Sequence, residues 1–372
     1  MNPPPPHRRK ARSPSAATDF ASSFESFRER LDVELVSWLE RKHDAVAGYA
    51  PDAVELVDAL EALVTAGGKR LRPALVYHAY RGCGGADPAP AMSVALAVEF
   101  LHTYLLIHDD IMDHADVRRG LPAAHVRFGQ LHRDHGWHGE ADDYGEAAAI
   151  LVGDLSHAYA VEAFSQALTA TPRSEQLRRV FFSMSEEVIA GQHLEMRVAM
   201  SRVAGERELA RVLRLKSGAY SVERPVELGA ILAGAGDAEL SKLRRYGSAV
   251  GEAFQLQDDI LGVFGDLETV GKPVGGDVSE GKFTFLIFHT LRLATPEQGG
   301  IVERSLGKPD PSPGEIEAVR EIIRGCGALD QVREMIEQRL DAAREALGEM
   351  ELRAEGWTFL EGLIGFLRER RR

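Results

Sequence analysis

Cysteine is nearly absent from this sequence of 372 residues, which contains only Cys83 and Cys326. Neither residue belongs to a CxxC pair or to a spacing typical of zinc ligands, which argues against a disulfide framework and favours a reducing compartment. Basic residues are also in deficit, 44 against 57 acidic residues, which gives a formal net charge of -13. This balance argues against a nucleic-acid-binding protein. We therefore expect a cytoplasmic protein that binds no nucleic acid.

Long apolar runs are missing as well. The best candidate for a membrane-spanning segment, Met92–Ile107, is interrupted by Glu99 and His102 and is too short to cross a bilayer. The first residues contain no apolar stretch of the kind found in secretory signal peptides. We therefore expect no stable membrane insertion.

The alternation of apolar and polar residues that marks strands is scarce too. From Phe20 onward, apolar residues recur at every third or fourth position, which is the pattern of amphipathic helices. No break in composition divides this body, so the sequence predicts an all-α fold with one large helical-bundle domain at residues 19–372. Residues 1–18, rich in proline, serine, alanine and arginine, are predicted to form a disordered tail.

Individual helices can be placed from this pattern. Ala95–His108 is apolar nearly all round and should be a central, buried helix. Ser312, Pro313 and Glu315 combine a cap residue, a proline at the first helical position and a capping-box acid, so a helix should begin there. Further helices are predicted near residues 147–169, 176–200, 206–233, 239–264, 283–294 and 329–349.

Two aspartate-rich segments are the main chemical signal. Asp109 and Asp113 are four residues apart on a predicted helix, so they share one face and repel each other unless a cation lies between them. About 150 residues later, Asp258 and Asp259 begin a second cluster that continues to Asp266. Carboxylates combined with substrate phosphates are ligands that suit Mg²⁺. The sequence therefore predicts a magnesium site for diphosphate chemistry.

Basic residues accompany the first acidic segment. Arg118 and Arg119 follow it, and their guanidinium groups suit phosphate oxygens, although the local sequence fits a solvated charged loop equally well. The segment Gly67–Pro73 places three bases after a glycine pair at the start of a helix, where anions are favoured. His102 lies seven residues before Asp109 and is either a core histidine or a phosphate donor.

Three other histidines, His132, His135 and His138, have a spacing that suggests a zinc site. Gly136 and Gly139 interrupt the helix, and no cysteine or HExxH pattern accompanies these histidines. A solvated loop is therefore the preferred interpretation.

Six segments, taken in order, closely resemble the trans-polyprenyl diphosphate synthases, and the resemblance extends from about Phe24 to the C-terminus. They are GGKRxRP at 67–73, DDxxD at 109–113, RRG at 118–120, Lys216-Ser217, FQxxDD at 254–259 and GKP…EGK at 271–282. The resemblance implies an all-α, isoprenoid-synthase type of bundle with a central cavity. It also implies a Mg²⁺-dependent transferase that joins isopentenyl diphosphate head-to-tail (1'-4) to an allylic prenyl diphosphate.

The same resemblance assigns roles to residues. Asp109, Asp113 and Asp258 would bind three Mg²⁺ ions per active site, with Asp110 and Asp259 assisting in catalysis. The residues expected to hold the allylic diphosphate are Arg118, Lys216, Gln255, Lys272 and Lys282, with Ser217 and Phe254 beside them. The residues expected to bind isopentenyl diphosphate are Lys69, Arg72, His102 and Arg119.

Two positions depart from the family pattern. Gly262 stands where many members have a third aspartate in the second acidic motif, so position 262 offers no side-chain ligand. Ser217 replaces the usual threonine and keeps the hydroxyl group. We expect neither change to abolish catalysis.

Product length is predicted from residues just before the first acidic motif, which line the hydrocarbon tunnel in this family. They are Leu101, Tyr104 and Leu105. Tyr104 fits the floor of a tunnel that ends at a C20 product, as in geranylgeranyl diphosphate synthases, with a C15 farnesyl or a longer product as alternatives. The other interpretation of Tyr104 is simple core packing.

Two other kinds of protein remain open. A class I terpene cyclase also uses an aspartate-rich helix and Mg²⁺, but it would lack the isopentenyl site that Gly67–Pro73 and Arg119 suggest. A catalytically silent partner subunit of a related synthase usually loses an acidic motif, and this chain keeps the first one whole. The family also implies a homodimer.

Overall fold

The computed structural model describes residues 14–265 and 275–369, and this part of the chain is almost entirely helical, as predicted. The helices of the first half are α1 (Pro14–Tyr49), α2 (Val54–Thr65), α3 (Leu71–Gly82), α4 (Pro88–Met112), α5 (Ala124–His135), α6 (Ala141–Ala167) and α7 (Ser174–Ser201). The one sheet in the described part is an antiparallel pair of two-residue strands, β1 (Val117–Arg118) and β2 (Leu121–Pro122). Residues 1–13 lie outside the described range, so the disordered tail stays a prediction there, whereas α1 already begins at Pro14, inside the tail predicted at 1–18.

The second half of the chain contains one long helix that is α-helical at both ends and π-helical in the middle. Helices α8 (Glu206–Val212) and α9 (Arg224–Leu232) are joined without a break by a π-helical segment, Leu213–Glu223. The remaining helices are α10 (Asp237–Phe264), α11 (Phe285–Leu293), α12 (Pro296–Ser305), α13 (Pro313–Gly325), α14 (Ala328–Gly348) and α15 (Ala354–Glu369), with a single helical turn at Gly276–Ser279.

The predicted helix positions are confirmed. The bounds agree within one or two residues, with two exceptions: α6 begins at Ala141 rather than near 147, and α4 extends beyond residues 95–108 at both ends. The helix predicted at 206–233 has the expected ends but is π-helical in its middle. At the start of α13, Ser312 Oγ accepts a hydrogen bond from the Glu315 backbone N–H at 3.3 Å, and Glu315 Oε2 accepts one from the Ser312 N–H at 2.9 Å. This is the reciprocal cap that the sequence predicted.

The central helix is α4, which packs against α1, α3, α6 and α9. It is 25 residues long, longer than the apolar run in the sequence indicated, and by length and composition alone it could cross a membrane. However, 67% of the most apolar 18-residue stretch of α4 is buried inside the fold, which is the pattern of a core helix. Because α4 ends at Met112, the core helix delivers the first acidic motif directly to one end of the bundle.

The π segment is held by close backbone contacts with its neighbours. A Cβ added to Gly191 on α7 would overlap the Lys216 backbone, and one added to Gly251 on α10 would overlap the Gly218 carbonyl. Glycine therefore allows α7 and α10 to approach the π segment backbone to backbone. This contact fixes the position of Lys216 between the two helices.

The loop predicted for the three histidines is partly wrong. His132 and His135 lie on α5, which ends only when Gly136 adopts a left-handed conformation with φ of 61°. His132 is buried, and its ring packs near Trp137 and Tyr144. Only His138 lies in an exposed loop. The glycine that was expected to break the helix instead caps it one residue after His135.

Candidate active site

A cavity of about 530 Å³ lies at the end of the bundle where α3, α4, α10 and the π segment meet. Many of the residues predicted for the site line it: Lys69, Arg72, His102, Arg118, Arg119, Lys216, Phe254, Gln255, Asp258, Asp259 and Lys282. The fold thus brings together segments that are up to about 200 residues apart in the sequence.

One wall of the cavity is basic. Arg72 donates a hydrogen bond from Nη2 to Ser221 Oγ at 2.8 Å, and its guanidinium lies 4.6 Å from the centre of the Tyr220 ring. Arg72 Nη1 lies 3.3 Å from His102 Nε2, and His102 Nδ1 lies 2.7 Å from the Tyr220 hydroxyl. These contacts hold Arg72 in one orientation, and its buried Nε has no partner among the described residues.

His102 is held in its neutral form. Burial lowers the pKa of His102 well below its usual value, and the positive charges of Arg72 and Arg119 lower it further. A neutral imidazole next to these arginines adds no repulsion, and it can donate or accept a hydrogen bond. Of the two interpretations open for His102, its place in the cavity wall favours a role in binding.

A buried carboxylate orders the two basic segments. Glu99, on α4, is 1% exposed and forms a salt bridge with Arg70, and its Oε1 lies 3.9 Å from Arg119 Nη2. Arg70 also donates to Asp32 on α1 at 2.9 Å and to the Val64 carbonyl at 2.6 Å. Arg70 lines the cavity together with Lys69 and Arg72, but its guanidinium is engaged by these protein partners, so we interpret it as a structural residue.

Backbone strain marks the same two loops. Arg70 and Arg119 have φ angles of 48° and 53°, in the left-handed region that residues other than glycine rarely adopt. Such conformations cost free energy and persist where surrounding contacts fix them. The bond from Arg119 Nη1 to the Leu63 carbonyl at 3.0 Å and the Glu99 contacts supply that fixation.

The acidic wall of the cavity is formed by Asp258 and Asp259 of the second motif, whereas Asp109, Asp110 and Asp113 are not among the lining residues. Asp109 and Asp110 lie behind this wall, next to the lining residues Lys216 and Arg118. Lys216 forms a salt bridge with Glu195 on α7, and its Nζ lies 3.8 Å from Asp109 Oδ1 on α4. Burial lowers the pKa of Lys216, but Glu195 and Asp109 more than offset this, so the amine stays charged. Asp110 is 1% exposed and accepts hydrogen bonds from Arg118, at 2.8 Å from Nε. Asp110 thus positions Arg118 on β1.

The positive charges of the protein do not fully compensate two carboxylates in this region. Burial, followed by the nearby Asp109, raises the pKa of Asp113 to about 6, and Asp113 Oδ2 is buried without a hydrogen-bond partner among the described residues. Burial, followed by Asp277, raises the pKa of Asp259 to about 8, despite a 2.7 Å hydrogen bond from Gln255. A divalent cation beside these groups would stabilise their charged forms, so the donor set fits Mg²⁺.

The two acidic clusters come from separate helices. Within residues 14–265 and 275–369, no three acidic, histidine or cysteine side chains already converge on one point as a metal site. Lys282 lines the cavity with Asp258 and Asp259 of the second cluster. Burial lowers its pKa, but Asp277, Glu280, Glu195 and Asp113 of the first cluster together raise it well above the usual value. Acidic and basic side chains are therefore interspersed in this part of the site.

Some predicted residues lie elsewhere. Ser217 is buried at a small adjoining pocket beside Lys216. Tyr104 is half-buried, with its ring centre 4.7 Å from that of His108 and 5.1 Å from that of His157 on α6. Tyr104, Leu105 and the fully buried Leu101 are not among the residues that line the cavity, whereas Leu106 is. Lys272 and Asp266 lie outside the described residues.

Sequence reasoning missed several residues of the site. Tyr220 and Ser221 follow Lys216 by four and five residues, but the segment is π-helical, so α-helical spacing would not have placed them beside His102 and Arg72. The salt bridges of Glu195 with Lys216 and of Glu99 with Arg70 form only when α7 and α4 pack against other segments. No local sequence pattern reveals such packing. Asp277 was noted only as one charge among several near the second acidic motif.

Comparison with known proteins agrees with this geometry. The polyprenyl synthetase family model matches residues 53–323. The geranylgeranyl diphosphate synthase of Saccharolobus solfataricus is 36% identical over 290 residues, covering 77% of this chain and 82% of the relative. The short chain isoprenyl diphosphate synthase of Methanothermobacter thermautotrophicus is 36% identical over 321 residues, covering 83% of this chain and 91% of the relative.

A solved structure is similar over nearly the whole chain. The geranylgeranyl pyrophosphate synthase from Corynebacterium glutamicum, determined in complex with isoprenyl diphosphate and magnesium, has a TM-score of 0.89 and 31% sequence identity. The match covers 94% of this chain and 99% of that chain.

The helical bundle and its charged cavity define an all-α transferase that acts on isoprenyl diphosphates. The chain belongs to the polyprenyl synthetase family and is a prenyl diphosphate synthase. The resemblance stated from the sequence is thereby confirmed.

The Glu99 salt bridge yields a stability prediction. Glu99→Ala should lower the free energy of unfolding by about 3–5 kcal/mol, because it leaves the Arg70 guanidinium buried without its main partner. Glu25→Ala, which removes an exposed pair with Arg28, is the matched control and should cost less than about 1 kcal/mol. Urea denaturation followed by circular dichroism measures both. Equal losses in the two variants would contradict the structural role of Glu99.

Proposed function

We propose that this enzyme condenses isopentenyl diphosphate with an allylic diphosphate in a Mg²⁺-dependent reaction, releases pyrophosphate and stops mainly at the C20 product, geranylgeranyl diphosphate. The observation that carries the proposal is one cavity with a basic wall and an acidic wall, which suits two diphosphates of different roles. The relative from S. solfataricus, named a geranylgeranyl diphosphate synthase, supports the C20 product.

The allylic diphosphate is proposed to bind at the acidic wall. Asp109, Asp113 and Asp258 would hold three Mg²⁺ ions, which would bind the diphosphate oxygens and neutralise the charge of the departing pyrophosphate. The fit of the donor set rests on the raised pKa of Asp113 and of Asp259, whose charged forms a cation would stabilise. The cations of the protein that would complete this subsite are Arg118, Lys216, Lys282 and Lys272, the last outside the described residues, with the Gln255 amide beside them.

Isopentenyl diphosphate is proposed to bind at the basic wall, through Lys69, Arg72, His102 and Arg119. Arg72 is oriented by Ser221 and Tyr220, and Arg119 by Leu63 and Glu99, so the donors are fixed before the substrate arrives. Such preorganisation reduces the cost of ordering side chains on binding. This subsite argues for a synthase over a class I terpene cyclase, which needs none.

The chemical step needs no nucleophile from the protein. The allylic C1–O bond breaks and its electron pair leaves with pyrophosphate, and the double bond of isopentenyl diphosphate then attacks C1 through its C4. The resulting cation loses a proton from C2, which a pyrophosphate oxygen can accept. Charge builds up on the leaving pyrophosphate, where Arg118, Lys216 and Lys282 can stabilise it. Water must be excluded because it would quench the cation.

The remaining assignments follow the family and the composition. We propose a homodimer because the family implies one. We also propose a cytoplasmic location, which is consistent with the two free cysteines. Among the described residues, α4 is the one helix long and apolar enough to span a membrane. Farnesyl diphosphate and longer polyprenyl diphosphates are the alternative products.

Incubation with isopentenyl diphosphate and each of three primers tests the function. We expect dimethylallyl, geranyl and farnesyl diphosphates to be extended in the presence of Mg²⁺, with C20 dominant in product-length analysis. Cyclic products from geranylgeranyl diphosphate alone would indicate a terpene cyclase. No turnover by the purified chain alone would indicate a silent partner subunit.

The metal assignment predicts large losses at two aspartates. Asp109→Ala and Asp258→Ala should each lower turnover by about two orders of magnitude or more, because transition-state charge loses its stabilisation. Pyrophosphate release measures turnover, and circular dichroism checks folding. Asp143→Ala, at an exposed site in the first turn of α6, is the control and should keep wild-type rates. Near-normal rates in the Asp109 or Asp258 variant would refute the assignment.

Tyr104 is proposed to form the floor of the hydrocarbon tunnel. Its ring lies against His157 on α6 and against His108, so its bulk is fixed between α4 and α6. It lies five residues, more than one helical turn, before Asp109. The growing chain is proposed to extend beyond the cavity along α4 until it meets this side chain.

Removal of the Tyr104 ring should lengthen the products. Tyr104→Ala opens space between α4 and α6, so we expect the main product to shift from C20 to C25 or longer in chain-length analysis of the extracted alcohols. Tyr49→Ala, at a side chain that is 77% exposed, removes the same ring outside the fold and should leave the distribution unchanged. An unaltered distribution in the Tyr104 variant would remove this residue from the tunnel floor.

A further inference from the structure

The second acidic motif contains a gap that another part of the chain fills. Gly262 lies one helical turn after Asp258 on α10 and lines the cavity. A Cβ added to Gly262 would lie 2.8 Å from Asp277 Oδ1 and closer still to Asp277 Oδ2 and Cγ. The Asp277 carboxylate therefore occupies the space that a side chain at position 262 would need.

The turn that carries Asp277 is held firmly in place. Val278 is 1% exposed, and its carbonyl accepts a hydrogen bond from the Gly307 N–H at 2.7 Å. The Asp277 carbonyl accepts one from the Lys282 N–H at 3.0 Å, and the Gly275 carbonyl accepts one from the Val278 N–H at 3.0 Å. These contacts fix the backbone on both sides of Asp277, so its place beside Gly262 is set by packing.

The Asp277 carboxylate faces the same charges as the second acidic motif. It lines the cavity with Asp258, Asp259 and Lys282, and its Oδ1 lies 3.5 Å from Lys282 Nζ. Lys282 Nζ also lies 2.6 Å from Glu280 Oε2, so Lys282 has another acidic partner besides Asp277. The carboxylate of Asp277 is therefore not needed merely to neutralise Lys282.

We infer that Asp277 supplies, from a separate segment of the chain, the third carboxylate that Gly262 leaves out of the second acidic motif, and that it helps this motif to hold Mg²⁺ and the diphosphate. The inference rests on the proposed function, which places Mg²⁺ at Asp258. It also explains why position 262 is glycine, since any larger residue would displace the Asp277 carboxylate.

The test measures Mg²⁺ binding rather than turnover. Methylene diphosphonate, a diphosphate that does not hydrolyse, is kept at a fixed excess, and the Mg²⁺ concentration for half-maximal thermal stabilisation is determined. Asp277→Asn keeps the shape of the side chain and removes its charge, so the Mg²⁺ midpoint should rise by about 10- to 100-fold. Asp143→Asn, the same change at an exposed site, should leave the midpoint unchanged.

An exchange of the carboxylate between the two positions gives a sharper test. Asp277→Ala should raise the Mg²⁺ midpoint, and Gly262→Asp alone should also raise it, because two carboxylates then compete for one space. The double variant, Gly262→Asp with Asp277→Ala, restores one carboxylate there and should return the midpoint towards the wild-type value. Circular dichroism of all three variants confirms that they fold. A double variant no better than Asp277→Ala would contradict the inference.

A background without Lys282 separates the inference from an indirect effect. If Asp277 acted only by holding Lys282, then Asp277→Asn would not change the midpoint in a Lys282→Met background; we expect it still to rise. A wild-type protein that shows no Mg²⁺-dependent stabilisation would overturn the inference and the proposed metal site together. A normal wild-type response with an unchanged Asp277→Asn midpoint would overturn the inference alone.

Discussion

The constraint on which the site depends is that charges of both signs are buried together at one end of an otherwise apolar bundle. Burying an unpaired ion costs several kcal/mol, so each charge needs a partner from another helix. Glu99 pairs with Arg70, Asp110 with Arg118, and Glu195 with Lys216. These pairs join α3, α4, β1, α7 and the π segment, and they leave Asp113 and Asp259 poorly compensated. Burial raises the pKa of both carboxylates, and a divalent cation beside them could stabilise their charged forms.

The pairs also divide the cavity into two binding regions. Glu99 serves the basic wall, where it holds Arg119 near the neutral His102. Glu195 serves the acidic wall, where it holds Lys216 close to Asp109. In the proposed reaction, one substrate loses pyrophosphate and the other keeps its diphosphate, so the two groups would need different surroundings. An acidic region that can bind cations would favour loss of pyrophosphate, whereas a region of fixed arginines and a neutral imidazole would bind a diphosphate without activating it.

Local signals allowed most of the fold to be predicted. Apolar periodicity and the cap at Ser312 depend on nearby residues, and the corresponding helices were placed within a few residues. His132 was wrongly placed in a loop because a glycine in the sequence can either interrupt a helix or cap its end. The left-handed φ of Gly136, which only the structure reveals, shows that this glycine caps α5 after His135. The order of the motifs carried the family resemblance, and that resemblance predicted the central cavity. The sequence could not show that the Asp277 carboxylate lies against Gly262, because these residues meet only when the turn at 276–279 packs onto α10.

The π segment shows why helical spacing alone could not complete the site. In a regular α-helix, residues three and four apart share a face, whereas the i to i+5 hydrogen bonds of a π-helix shift that face with each turn. Along this segment, Lys216 reaches the acidic wall while Tyr220 and Ser221 reach Arg72 and His102 on the basic wall. One continuous helix thereby contacts both regions that we propose to bind diphosphates. Gly191 and Gly251 make that geometry possible, because a side chain at either position would push the π segment away from α7 or α10.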